Sequence, residues 1–502
     1  RGQAFDLFIE DAIEETTTTV SGISAEYGRF SGGVVNMITK SGGNEFSGSL
    51  RVNIDNDDWI ARTPLSDARI DDRNETYEGT LGGYVLKDRL WFFLAGRDKE
   101  ESLTAPFFTP SLGQYVNGES QQRYEAKLTF SPHVSHRLLG SYIEIDTEQT
   151  NYAFDPPVEP SVIDPVRTLP QTLLALNYTG VLTDSFFLEG QYSEREFTFE
   201  GSGGEAVGDL ARGTNIYFPV VGAEGGAPSF CGACGDEERD NENLLAKASY
   251  FHSSDRLGTH DIVLGYDSFS DIRLNNNYQS ASDWVIWNFS LTSPEDAEQY
   301  TVNGELYPVF SPGEWMVWFP IFNLSEGTDF GTDSMYVNDT WRVNDKLTLS
   351  MGVRYDVNDG VDSSGATIAD DSRFSPRIGA TYDVLGDGEW IANASYGRYV
   401  AVLANSIANT GGGGTPSILV YTYGGPYVNL DSSGSFVPMY TSEEALAQVF
   451  DWFEGAGGVG NTDIWTFAPS ISGFSDVVRD LKSPYSEELS LGVTKRLGSK
   501  GM

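Results

Sequence analysis

The chain has 502 residues, a formal net charge of -41, only 39% hydrophobic residues, and 55 Gly, 25 Tyr, 29 Phe and 10 Trp. So negative a field excludes nucleic acid as the main partner, because phosphate binding needs a basic surface. No apolar run reaches the ~18 residues of a membrane helix, and the glycine and aromatic content points to β-structure rich in turns. The chain opens on RGQAFDLF with no charged-then-apolar leader, which reads as the middle of a longer protein.

The first element in chain order is a strand, Val34 to Thr39, held between Gly32-Gly33 and Gly42-Gly43. A lone strand is unstable, so it is expected to end a small sheet whose other members lie upstream of residue 1. Beyond it the sequence alternates. In LTLSMGVRYDV, Leu347, Leu349, Met351, Val353, Tyr355 and Val357 share one face, and Thr348, Ser350, Gly352, Arg354 and Asp356 the other. RFSPRIGATYDV repeats the pattern around Ile378 and Tyr382. Successive side chains of a strand point to opposite faces, so these are sheets with one apolar and one polar face.

About fourteen such strands are predicted: 46–55, 76–86, 89–99, 122–131, 136–149, 169–182, 185–199, 243–253, 259–274, 333–343, 346–358, 373–384, 388–401 and 485–497. Their connections alternate strictly between tight turns, such as Lys87-Asp88 and Asn344-Asp345, and long loops, of which 275–332 and 402–484 are longest. Alternation alone suits a soluble sandwich equally well. Placing every long loop at one end suits an outer-membrane barrel, with short turns on the periplasmic side. In lipid every backbone group must be paired, so the sheet has to close. Trp91, Phe92, Trp341, Tyr355, Trp390 and Tyr396 would form interfacial girdles. Arg342, Arg354, Arg377, Asp383 and Glu488 fall on the polar, inward face. There they are either solvated charges of a wet lumen or latches to something inside it.

The loops carry two candidate sites. Trp284, Trp287, Tyr307, Trp315 and Trp318 cluster within 275–332 and are candidate ligand-contact aromatics, or else the loop's own small core. TSEEALAQVFDWFEG reads as an amphipathic helix with Leu446, Val449, Phe450 and Phe453 on one face and Thr441 or Ser442 as N-cap, either a lid or a helix packed on the barrel rim. Cys231 and Cys234 form a C-x-x-C in a loop, either a small disulfide or a thiol pair. His133, His136, His252 and His260 supply no second half of a zinc site, so no metal is expected. No G-x-S-x-G, H-E-x-x-H or Walker pattern occurs, so no catalytic residue and no cofactor is expected either.

The opening stretch AIEETTTTVSGISAEYGRFSGGVVNMITKSGG resembles the end of the plug domain of TonB-dependent outer-membrane receptors, followed by a first barrel strand. The pieces of that pattern are Ile13-Glu14-Glu15, Gly22, Ala25, Tyr27, Gly28, Arg29, Gly32, Gly33 and Asn36 through Lys40. VNDTWRVNDKLTLSMGVRYDV, FSPRIGATYDV and LKSPYSEELSLGVTKRLG are similar to later strands, in wording nearest the Oar-like, OmpA-related subgroup. The resemblance implies an all-β, 22-stranded type of transmembrane barrel, here incomplete. Residues 1–43 would end the plug, and residues 44–502 would form the N-terminal portion of the barrel. It implies transport of a bound cargo across the outer membrane of a Gram-negative bacterium, driven by the inner-membrane TonB complex through a segment missing from this chain. Partners would be TonB, outer-membrane lipid and a peptide, protein, oligosaccharide or chelate cargo. The alternative is an adhesin-like barrel that binds without active transport; a plug argues against it.

Overall fold

The computed structural model describes residues 9–30, 32–59, 73–200, 206–229, 237–403, 405, 412–466, 470 and 481–496. Two short strands come first, β1 (Ile13–Thr19) and β2 (Val34–Thr39), paired antiparallel with Thr16 opposite Met37. The strand at 34–39 therefore has a partner inside the chain, which corrects the expectation that its partners lie upstream. The threonine run supplies it: β-branched residues favour extended backbone, but the run has no apolar alternation to announce a strand.

The chain continues through β3 (Ser47–Asn56), β4 (Arg73–Leu86), β5 (Leu90–Pro106), β6 (Gln114–His133), β7 (His136–Tyr152), β8 (Asp164–Thr168), β9 (Gln171–Thr183) and β10 (Phe186–Phe197). Then come β11 (Asn215–Phe218), β12 (Ala223–Gly226), β13 (Glu238–Ser254), β14 (Gly258–Leu274), β15 (Trp284–Trp287), helix α1 (Pro294–Tyr300), β16 (Thr301–Val302), β17 (Glu305–Leu306) and β18 (Trp315–Trp318). The rest is β19 (Thr328–Arg342), β20 (Leu347–Val361), β21 (Thr367–Asp383), β22 (Trp390–Val400), β23 (Leu419–Thr422), helix α2 (Ser442–Gly455) and β24 (Tyr485–Lys495).

Fourteen of these strands form one sheet in the order β3-β4-β5-β6-β7-β9-β10-β13-β14-β19-β20-β21-β22-β24, with β8 added beside β7. Neighbours pair antiparallel, as the alternation predicts. Laid flat, the thirteen steps between these strands would spread over about 60 Å at ~4.8 Å each. Yet residues 9–40 hydrogen-bond to side chains of β3, β6, β13, β14, β19, β20 and β21. So short a segment can reach all of these only if the sheet curls around it.

The two faces differ as a lipid-facing wall requires. Leu50, Met335 and Leu491 stand on the outer face 93%, 67% and 74% exposed, while Arg123 and Arg354 on the inner face are fully buried. Trp341 stacks on His260 at 5.2 Å, and Lys495 lies over the ring of Trp390, both at the short-turn end. Trp91 departs from the expected girdle. It shares the inward face of the buried Phe93 and Ala95, and its Nε1–H donates to Asn44 Oδ1 at 2.8 Å.

The largest apolar core lies outside the wall, among the long loops. Strands β12-β11-β15-β18-β23, drawn from three loops, form a five-stranded sheet. Ile216, Phe218, Ile286, Met316 and Tyr421 pack with Leu446, Val449, Phe450 and Phe453 of α2. Thr441 caps α2, its N–H donating to Glu444 Oε2 at 3.1 Å. A fourth loop is tied in where Ser442 Oγ and the Gly226 N–H donate to Glu159 Oε1 at 2.6 and 2.7 Å. The helix is thus part of a loop-built module.

Replacing Phe450 by Ala should destabilise this module by about 3–5 kcal/mol, the usual cost of deleting a buried ring. Limited proteolysis on whole cells should then cut the loops at 206–229 and 275–326 together, not α2 alone. A second outcome concerns pH. Burial lifts the Glu314 carboxyl from its ordinary 4.5 to about 7, against a hydrogen bond from the Phe289 N–H at 2.6 Å. The unfolded loop ionises first as pH rises, so the folded module holds the extra proton between about 4.5 and 7. It should lose up to ~3 kcal/mol over that window and no more above it. Protease resistance should therefore be higher at pH 5 than at pH 8, and Glu314→Gln should flatten the difference.

Candidate functional site on the inner wall

Between β1 and β2 the chain turns across the inner face of the sheet, and the residues singled out as a motif lie on that turn. The Ala25 N–H donates to Asn338 Oδ1 on β19 at 3.0 Å. Gly28 passes so close to β20 that a Cβ there would sit 2.5 Å from the Arg354 guanidinium and would have to push it from its contacts. Arg29 takes the left-handed conformation at φ 59°, and its Nη1 meets Asp267 Oδ2 on β14 at 2.6 Å. Gly32 also has positive φ, 108°, at the approach to β2.

Asp267 is the centre of the contact. The same Oδ2 accepts from Arg354 Nη2 at 2.6 Å, and Oδ1 accepts from Asn243 at 2.9 Å. Arg354 also donates through Nε to Asp356 Oδ1 at 2.6 Å and through Nη1 to the Glu26 carbonyl at 3.2 Å. Arg377 donates to the Ser24 carbonyl and lies 4.8 Å from the Tyr399 ring, which meets Phe30 at 5.1 Å. Lys247 bridges Glu26, at 2.8 Å, and Glu189. Lys127 donates to the carbonyls of Thr39 and Lys40 at 2.9 and 3.0 Å, and Arg51 pairs with Glu10 at 2.9 Å and with Asp11.

These contacts favour the latch reading of the inward arginines for Arg354 and Arg377. Alternation placed both residues on the right face, but nothing in the sequence singled out Asp267, Asn338, Lys247 or Lys127 as partners. Their only signal is inward parity on their strands. Tyr27 is 40% exposed and lines, with Asn36, Gln191 and Asn243, a cavity of about 340 Å³ beside the turn. A second cavity of about 480 Å³ lies between Gly22 and the inner face of β19–β24, with Ser350, Ser395 and Ser490 in its wall. Gly33 follows Gly32 where the turn leads into β2.

The loop aromatics lie elsewhere, in the five-stranded sheet. Trp284 is 5% exposed, stacks on Trp318 at 5.8 Å and abuts Phe450 and Phe453. Trp284 therefore serves the module's own core, because a ring so enclosed offers no face to a ligand. Trp287 and Trp315 stack at 5.6 Å, half-buried, and Tyr307 is half-buried beside Glu305. Cys231 and Cys234 lie outside the described residues.

Replacing Asp267 by Asn would leave Arg29 and Arg354 facing each other without their shared counter-charge. Removing one partner of a buried pair costs about 3–5 kcal/mol. Amide exchange of residues 24–30 in the purified protein should speed up by at least a hundredfold, while strands β3 to β6 stay protected. Gly28→Ala should act in the same direction through Arg354.

Residues 235–447 match the family described as TonB dependent receptor-like, beta-barrel. The TonB-dependent transporter Oar of Myxococcus xanthus is 24% identical over 486 residues, covering 77% of this chain and 44% of that protein. The chain thus spans less than half the length of this curated relative. Among solved structures, the outer membrane transporter YddB of Escherichia coli aligns at TM-score 0.53 with 12% identity, over 82% of this chain and 53% of that one. The siderophore receptor PirA of Acinetobacter baumannii aligns at 0.51 with 15% identity, over 82% and 54%. At these identities the structural likeness speaks for the fold alone. Together with the one-sided antiparallel wall and the inner turn, the matches make the chain similar to the β-barrel of the TonB-dependent receptors, proteins of the Gram-negative outer membrane, with the M. xanthus Oar transporter among its relatives.

Proposed function

We propose that this chain belongs to an active transporter in which residues 1–43 are part of a plug and residues 44–502 are barrel wall and outer loops. The TonB complex would supply the energy, and displacement of the plug would open a path for cargo. The observation that carries this reading is the form of the inner contact. Its middle part is made of charged and polar latches, Arg29 and Arg354 on Asp267 and Arg377 on the Ser24 carbonyl, beside one small apolar contact of Ile9 and Ala12 with Phe93 and Ala95. A cork that stayed in place permanently would be expected to bury apolar surface, as the loop module does. Polar latches in a wet lumen can be exchanged for water, so they release under modest force. The M. xanthus relative is named a TonB-dependent transporter, which supports the transport reading; import and export fit equally well.

A disulfide lock tests it. A Cβ built at Gly352 lies 3.1 Å from the Ala25 Cβ, just short of the separation of about 3.5–4.5 Å a disulfide takes, so Ala25→Cys with Gly352→Cys can bridge turn and wall once the Asn338 side chain, which faces the same Cβ, gives way. Surface and periplasmic proteomes would be compared in oxidised and reduced cells. Transport predicts species that change sides in the locked cells and recover with reductant. An unchanged distribution, with surface binding intact, would instead support the adhesin reading.

A further inference from the structure

The chain holds four histidines, and the fold sorts them into two facing pairs. His133 stands directly opposite His136 across β6 and β7, and His252 directly opposite His260 across β13 and β14. Both pairs lie at the short-turn end of the wall and on its outer face. His136 alternates in step with the exposed Leu138 and Tyr142, and His252 with the exposed Tyr250. The tips of the same two turns carry exposed aliphatic side chains, Val134 at 96% and Leu257 at 56%.

Aromatic rings hold the imidazoles in place. Tyr178 of β9 lies over Gly180, where any Cβ would collide with its hydroxyl, and stacks on His136 at 6.1 Å with its Oη 2.9 Å from Nδ1. The Trp341 Nε1–H donates to the Leu257 carbonyl at 2.6 Å, which fixes the indole on His260 at 5.2 Å, and Tyr250 stacks on His252 at 6.4 Å. Polar partners are fewer. His133 Nδ1 accepts from the Ser135 N–H at 3.3 Å, which leaves its own proton on Nε2 as a donor. His260 Nδ1 is 2.8 Å from Asp339 Oδ2, a carboxylate on the lipid-facing wall that is costly there unless a cation answers it. Among the described residues His252 has no hydrogen bond, and Nε2 of His133 and of His136 has none. The other charged groups beside the pairs are Arg89 and Arg137 at the first and Asp255, Arg256 and Arg342 at the second.

Imidazoles held opposite each other repel once both are charged, and an anion beside them removes that cost. At the short-turn end of a lipid-facing wall, among interfacial rings and aliphatic tips, the anion at hand is the phosphate of the periplasmic leaflet. We propose that the two histidine pairs bind phosphate headgroups of anionic phospholipid in that leaflet, and hold them more tightly as the imidazoles gain charge. His133, His136 and His252 supply the free charge, because Asp339 neutralises His260. Histidine gains its proton as pH falls from about 8 to about 5, so the grip is an acid-strengthened one. The inference needs the wall in its membrane and not transport, so its failure leaves the disulfide-lock experiment to be decided separately.

The test places the full-length protein in phosphatidylcholine vesicles with spin-labelled phosphatidylglycerol or spin-labelled phosphatidylcholine. Electron paramagnetic resonance then reads the immobilised fraction of each lipid at about pH 5.5 and about pH 8, on either side of imidazole titration. Preference for phosphatidylglycerol should rise about fivefold on acidification, the effect of one basic charge at a membrane surface. Combining His133→Gln, His136→Gln and His252→Gln should abolish the rise and leave the preference at pH 8 unchanged. Asp339→Asn frees the charge of His260 and should enlarge the rise, and it keeps the proposal open to refutation if the triple variant fails to fold. A preference that does not change with pH, a rise that survives the triple variant, or a smaller rise in Asp339→Asn would overturn the proposal. Loss of the rise on adding a chelator would overturn it too, in favour of a transition metal bridging the imidazoles.

Discussion

One carboxylate organises the interior. Asp267 accepts a guanidinium from the inner turn and another from the wall, and Arg354 passes the contact on to Asp356 and to the Glu26 carbonyl. Inside a barrel such charges are affordable only because each finds a partner of opposite sign or a backbone carbonyl. The arrangement favours a residue without a side chain at 28, beside the Arg354 guanidinium, and holds Arg29 in a left-handed conformation that most residues avoid. The inner turn is held mainly by geometry and charge, with a small apolar contact where Ile9 and Ala12 meet Phe93 and Ala95.

The apolar surface is placed at the two other boundaries of the molecule. On the wall it faces outward, where lipid takes the role of a core and the backbone is paired strand to strand. Beyond the wall it is gathered into the loop module, whose sheet and helix bury it in the ordinary way. Loops this long would be costly to leave unstructured at a functional surface. Folding them together gives the mouth of the barrel a fixed shape and explains why Trp284 is enclosed and not displayed.

Charge is distributed unevenly as well. The chain carries 73 acidic and 32 basic residues, and several of the basic ones, Arg51, Lys127, Lys247, Arg354 and Arg377, stand on the inner wall and meet the inner segment. β13 and β14 carry Lys247 and Asp267 of the latches and, farther along the same face, the facing pair Arg239 and Arg273.

The sequence by itself determined the wall. Two-residue periodicity is a local property, so strand positions, the inward and outward faces and the alternation of short and long connections could be read residue by residue. The glycine-rich turn and the capped helix at 442–455 were legible for the same reason: their signals lie within a few neighbours. Only the tertiary structure decided what the faces meet. Arg29 and Asp267 are 238 residues apart, and Ser442 and Glu159 are 283 apart. The loop sheet is built from strands of four residues contributed by three separate loops, too short to show a period. Pairing across such distances follows from how the sheet curls and which polar groups would otherwise be left unsatisfied, and that information is spread over the whole chain.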